Sequence, residues 1–373
     1  MKRLLVLFLL SFSYLSASHI VGGDMQYRHI GGNSYDVVVT IYRDCSSQTP
    51  FDGLPNSQSD FTLGLVQEGN VTATTTYTIN ITSADVKTVY NKYTNPCLTD
   101  TNGVCLEFAT YKTTITVPNP SKAYYLVYQR CCRNSSINNL VPIQTTPNVI
   151  MPGSTYITRI PQTNFYFNNS ATFNSFPPKF ICLGVPYTFN HSATDLDGDS
   201  LTYETYTPYE GLSGTNPVTN NPQYDTTKII WKAPYTEANM MGGTPVTIDQ
   251  NGVLTCTPNQ VGQYVIGIRV NEWRNGVKIN SVIRDFQFNV RNCNSPIAAA
   301  PQKPGTIDPK TGIGFFEINC DDFTIKFTNT SQGANKYKWF FGEPSSGANN
   351  TSILQAPSHT YADTGTYLVT LLA

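Results

Sequence analysis

A chain of 373 residues is longer than one hydrophobic core serves efficiently, so two or three domains are expected. Charged residues are only 13% of it, about half the usual share, while 23 Tyr and 19 Phe with abundant Thr and Asn favour strands over helices. The 24 basic and 25 acidic side chains leave a formal net charge of −1, too little for a whole-chain field that draws nucleic acid or an anionic membrane.

In chain order, residues 1–18, MKRLLVLFLLSFSYLSAS, read as a cleaved secretory signal. Lys2 and Arg3 precede an apolar run from Leu4 to Leu15, and Ser16, Ala17 and Ser18 supply a small-residue cleavage site. No later stretch reaches ~20 apolar residues, so the mature chain is expected to stay out of the bilayer. A first β domain is expected over residues 19–167, from the alternation of Tyr35, Val37, Val39 and Ile41 and of Tyr111, Thr113, Ile115 and Val117. Its helix candidate is residues 83–93, SADVKTVYNKY, with Ser83 as cap. Residues 168–178, NNSATFNSFPP, disfavour strand and helix and are expected to be a linker. A second β unit follows over 179–293, with alternation in GQYVIGIRVNEW and SVIRDFQFNV. The Pro-rich stretch 294–312 reads as a second linker. A third β unit, 313–373, is still in a strand-like run, TYLVTLLA, at Ala373, so this unit is expected to be incomplete and the chain truncated. The fold class expected is all-β, with tandem immunoglobulin-like β-sandwiches behind a cleaved signal peptide.

Export makes the nine cysteines bridge-formers before metal ligands, and no C-x-x-C pair argues otherwise. Cys97 and Cys105 flank a short loop containing Asn102-Gly103 and can close it. Cys45 ends SYDVVVTIYRDC and the adjacent Cys131 and Cys132 end AYYLVYQRCC, so one of that pair is expected to bridge to Cys45. Cys182 and Cys293 bracket the second unit, Cys256 and Cys320 remain, and the odd total leaves one thiol over. The competing reading of Cys131 and Cys132, between Arg130 and Arg133, is a thiolate of lowered pKa.

Three resemblances bear on the class. KWFFGE, with Trp339, Phe341 and Gly342, and HTYADTGTYLVTL, from His359, resemble a PKD domain; Glu343 and Pro344 stand where that family carries Asp-Gly. The same residues make sense as a buried tryptophan on a central strand and a tyrosine corner. ATDLDGDSLTYETYTP, TIDQNGVLTCTPNQVGQYVIGIRVNEWRNG and RDFQFNV resemble a cadherin-like or immunoglobulin-like repeat of bacterial surface proteins, with Cys256 as a departure. SHIVGGDMQYRHIGGNSYDVVVTIYRDC through YLVYQRCCRNSSINNL resembles the leader domain of Bacteroidetes-type surface proteins. In that group the modules precede gliding-motility-associated or type IX sorting sequences. The resemblance implies a protein displayed at, or released from, the surface of a Gram-negative cell by way of its outer membrane, of adhesin-like character.

Chemistry-bearing residues are sparse. His19, His29, His191 and His359 are scattered, with no H-E-x-x-H and no G-x-S-x-G nearby. A metal-chelating N-terminus at His19 competes with a plain chain end. Glu107, Glu204, Glu210 and Glu272 lie in unrelated contexts, so no carboxylate pair for glycoside chemistry is identifiable, and the chain is expected not to be an enzyme. Tyr206, Tyr209, Tyr235 and Trp273 are candidates for stacking on sugars, against ordinary packing. The one dense site is ATDLDGDSLTY, where Asp195, Asp197 and Asp199 surround Gly198. It is not an EF-hand, whose glycine is sixth and whose bidentate Glu is twelfth. Three close carboxylates call for a cation or a neighbouring cationic group, so structural calcium is set against a bare strand-end turn. The function expected is a non-enzymatic exported spacer or adhesin, whose partner is a protein or glycan at the cell surface. The alternatives are the accessory region of a secreted hydrolase and a carbohydrate-binding protein.

Overall fold

The computed structural model describes residues 20–89 apart from 46, 48 and 58, then 104–162, 167–213, 218–292, 306–307, 314–315, and 323–373 apart from 332–333. The signal segment, His19, Cys97, Cys293 and Cys320 lie outside these residues. The chain forms two compact units, a larger one within residues 20–292 and a smaller one within 306–373. No helix among the described residues is long and apolar enough to cross a membrane.

The fold is all-β, as composition and alternation predict. The larger unit contains β1 (Ile20–Gly31), β2 (Ser34–Asp44), β3 (Phe61–Gln67), β4 (Thr75–Ile79), β5 (Val86–Thr88), β6 (Leu106–Thr116), β7 (Tyr124–Arg130) and β8 (Ser154–Ile160). It continues with β9 (Thr172–Phe173), β10 (Ile181–Cys182), β11 (Tyr187–Asn190), β12 (Ala193–Thr194) and β13 (Ser200–Thr205). After these come β14 (Thr244–Ile248), β15 (Val253–Thr257), β16 (Gly262–Arg274) and β17 (Val277–Arg291). The sheet β4-β3-β7-β8 faces the β1-β2-β6 part of a larger sheet. Tyr35, Val37, Val39 and Ile41 enter the shared core from β2, Tyr111 and Ile115 from β6, and Phe61, Leu126 and Tyr156 from the opposite sheet. The period-two pattern thus does what it predicts, putting one face of each strand into a sandwich core.

Residues 168–178 do not separate two units. The larger sheet runs β13-β16-β17-β1-β2-β6-β5 in antiparallel steps, so β17, from the second segment, pairs directly with β1, from the first. Gly22 sits opposite Phe286 at this seam, and a Cβ on it would lie 2.1 Å from the Asp285 carbonyl oxygen, so only glycine permits the approach. Two buried ion pairs close the seam: Arg284 Nη2 reaches Asp24 at 2.8 Å, and Arg133 pairs with Asp285. Asn168 and Ser170, in the supposed linker, are themselves buried, and Ser170 Oγ accepts the Tyr27 N–H of β1 at 2.7 Å. Composition hid this because Asn and Ser can satisfy buried backbone as readily as they solvate a loop.

Of the helix expected over 83–93, the described residues 83–89 contain a single 3₁₀ turn, Ser83–Asp85, in which Thr82, not Ser83, donates its N–H to the Asp85 carboxylate at 2.9 Å; residues 90–93 lie outside the described residues. Val86 and Thr88, β-branched or adjacent to pairing partners, then join β6 instead. The bridge pattern also differs. Asp44 lies opposite Leu106 in the β2–β6 ladder, which sets Cys45 beside Cys105, and these two are joined with Cα atoms 5.2 Å apart. The sulfurs of the adjacent Cys131 and Cys132 lie against each other, and the bridge expected between one of them and Cys45 is replaced by Cys45–Cys105. Cys182 is disulfide-bonded, Cys256 is free and buried, and burial pushes its thiol up to about 12.

The smaller unit pairs β18 (Thr306–Ile307) with β19 (Gly314–Phe315), β20 (Thr324–Lys326) with β23 (Ser358–Thr360), and β21 (Lys338–Phe340) with both β22 (Thr351–Ser352) and β24 (Thr370–Leu372). Trp339 is fully buried among Phe327, Phe341, Tyr361 and Leu371, and its indole N–H donates to the Leu354 carbonyl at 3.0 Å. Tyr367 donates its hydroxyl to the Asp363 carbonyl four residues upstream at 3.0 Å, the bond a tyrosine corner requires. Glu343, where the motif departs, is buried and accepts both the Ala362 N–H at 2.8 Å and the His359 ring at 2.9 Å.

Candidate functional site

The acidic loop leads into β13, whose Ser200 and Leu201 pair with Trp273 and Glu272 of β16. Gly198, at φ +79°, lets the chain reverse between them. Asp195 Oδ1 accepts the N–H groups of Asp197 at 2.9 Å and Asp199 at 3.0 Å, which closes the loop on itself. Its other oxygen, Oδ2, is buried with no hydrogen-bond partner.

The pairing brings a residue with no sequence proximity into the cluster. Carboxylate oxygens of Asp195, Asp199 and Glu272 lie within 4.8 Å of one another. Glu272 has no exposed surface; its Oε1 accepts the Ala171 N–H at 2.7 Å and Asn280 Nδ2 at 3.1 Å, and its Oε2 accepts Asn168 Nδ2 at 2.9 Å. Burial raises its pKa to about 7 against these hydrogen bonds, with the Asp195 charge adding to the rise. Burial likewise raises Asp195, and its hydrogen bonds from the Asp199 and Asp197 amides oppose the shift.

Asp197 is not in this group, unlike in the triad the sequence suggests. Its Oδ2 accepts the Asn169 N–H at 2.7 Å and Arg274 Nη2 at 3.0 Å, and its Oδ1 accepts Asn169 Nδ2 at 2.6 Å. Arg274 also grips Asp199 through both Nε and Nη2, each at 2.7 Å. The neighbouring cationic group that the repulsion argument demands is therefore present, but one guanidinium faces four carboxylates. The orphaned Asp195 Oδ2, in a cluster with Asp199 and Glu272, is the feature that fits a hard cation; the remaining ligands of a six- to eight-oxygen shell would be carbonyls or water.

Sequence reasoning leaves Glu272 among the scattered carboxylates, unconnected to the acidic loop, and misses Arg274. A signal existed: in VNEWR, Glu272 stands two residues after Val270, in the phase of the strand that carries buried side chains. Glu272 is sealed from solvent, whereas Asp195 and Asp199 are half-buried. Of the aromatic candidates, Tyr206 and Tyr209 meet edge to face at 5.7 Å, whereas Tyr235 packs on Tyr264 and Trp273 donates to Thr202. Family models, curated proteins and solved structures give no match to this chain. The fold and the site define an all-β protein with a buried acidic cluster at the meeting of β13, β16 and residues 168–171.

Proposed function

We propose that the chain is a non-enzymatic, exported cell-surface protein, an adhesin-like or spacer module in which structural calcium bound by Asp195, Asp199 and Glu272 fixes the join between segments. The observation that carries this reading is the excess of carboxylate over cation at a point where three separate stretches of chain converge. A divalent ion there would hold β16, the loop before β13 and residues 168–171 together, which is a mechanical role. The bridge Cys45–Cys105 supports an oxidising compartment, and the PKD and cadherin-like resemblances support surface display. The test has two arms. Calorimetry is expected to show the larger unit melting several degrees higher in millimolar calcium than in chelator, with Asp195→Asn abolishing the difference; equal melting temperatures refute the metal. Fractionation of the producing cells that leaves the protein in the cytoplasm refutes the exported role.

A further inference from the structure

A second site lies on the outer face of the four-stranded sheet, away from the sandwich core. There Val66, Val127 and Ile157 form a small buried apolar cluster, against which the partly buried rings of Tyr125, Tyr209 and Tyr224 pack. Beside it opens a cleft of about 380 Å³, within the range of roughly 300–1,000 Å³ typical of small-ligand pockets, bordered also by Arg159, Arg269 and Lys278.

The three cations are not equivalent. Arg159 is engaged: Nε and Nη2 hold Glu68 at 2.9 and 3.1 Å, and Nη1 donates to the Ile279 carbonyl at 3.1 Å. Arg269 gives only Nε to Glu204, at 2.8 Å, and its guanidinium carbon lies 4.1 Å over the Tyr206 ring; neither Nη has an acceptor among the described residues. Lys278 forms no ion pair among them, and burial together with the Arg269 charge lowers its pKa. Two like charges thus stand together, with donors to spare, beside tyrosine rings. Glu204 acts on Lys278 as well as Arg269 and offsets part of the repulsion, which leaves one positive charge over for an anion placed between the two cations.

We propose that this cleft binds an anionic sugar, whose carboxylate or sulfate is taken by Arg269 and Lys278 while the C–H face of its ring lies on Tyr209 and Tyr224. A guanidinium supplies a planar pair of donors and an ammonium a point charge, so one oxyanion satisfies both. The tyrosines give the apolar contact that a free inorganic anion cannot use. The chain's formal charge of −1 means that selectivity comes from the cleft and not from long-range attraction. The site is independent of calcium at the acidic cluster and of export, so its test neither supports nor weakens that reading.

The experiment is saturation-transfer NMR and calorimetric titration of the purified protein with glucuronate, glucose 6-sulfate, glucose, acetate and tri-glutamate. Glucuronate or the sulfate ester is expected to bind at least ten-fold more tightly than glucose or acetate, and the stronger of the two identifies the anion. Lys278→Gln, at an exposed position, is expected to weaken binding about ten-fold at unchanged melting temperature, while Lys278→Arg retains it. Binding unaffected by Lys278→Gln, acetate matching glucuronate, tri-glutamate exceeding both sugars, or no saturation with any sugar would each overturn the assignment.

Discussion

Replacing Glu272 with Gln isolates the energetics of the buried cluster. The carboxyl has its pKa raised from 4.5 to about 7 in the folded protein, chiefly because burial disfavours the charge. Below pH 4.5 it is protonated in both folded and unfolded states, and the native environment then stabilises it fully. Between 4.5 and 7 the native protein holds a proton that the unfolded chain releases, so stability falls as pH rises. A shift of this size corresponds to about 3 kcal/mol, most of which is lost between pH 5 and pH 8. In chelator, the wild-type protein is expected to lose that amount relative to Glu272→Gln, read from urea denaturation of the larger unit at the two pH values. Using the difference between the proteins cancels the other titrating groups. The substitution itself turns one accepting oxygen into a donor facing Asn168 Nδ2, a penalty of about 1 kcal/mol that does not depend on pH. Calcium favours the ionised carboxylate, so saturating calcium is expected to shrink the pH-dependent loss in the wild type only. A stability difference that is the same at pH 5 and pH 8 would refute the reasoning, because it would mean that Glu272 ionises as freely in the fold as in the unfolded chain.

Other perturbations probe the frame around it. Gly22→Ala forces a methyl to within 2.1 Å of the Asp285 carbonyl, beyond the usual overpacking range of about 1–3 kcal/mol, so a large drop in melting temperature and proteolysis around residues 168–178 are expected. Arg133→Met leaves Asp285 buried without its ion-pair partner and is expected to cost about 3–5 kcal/mol in urea denaturation. Removing the Cys45–Cys105 bridge, which closes a separation of 60 residues, is expected to destabilise by about 4 kcal/mol on the chain-entropy account, and non-reducing peptide maps should find Cys45 joined to Cys105. In the smaller unit, Tyr367→Phe removes one hydroxyl bond and should cost about 1 kcal/mol, whereas Trp339→Ala, which empties the centre of the core, should cost about 3–5 kcal/mol in thermal melts.

What the amino-acid order determined by itself is local. The alternation of Tyr35, Val37, Val39 and Ile41 is enough to make β2 a strand with one buried face, because side-chain direction in a strand has a period of two. Trp339 and Tyr367 likewise took the packing roles their motifs imply, since each depends on neighbours within one small unit. The loop 195–199 closes through Asp195 on its own backbone and needs nothing distant. Only the tertiary structure decided the rest. Pairing of β1 with β17 joins residues more than 250 positions apart, and no composition shift at 168–178 reports whether that ladder forms. The same long-range register put Cys105, not Cys131 or Cys132, beside Cys45. It also exchanged Asp197 for Glu272 in the acidic cluster: strand register chooses which side chains meet, and register is set by burial over the whole sheet. The charge and burial that four carboxylates and one arginine share at this point exist only once β13 and β16 have paired.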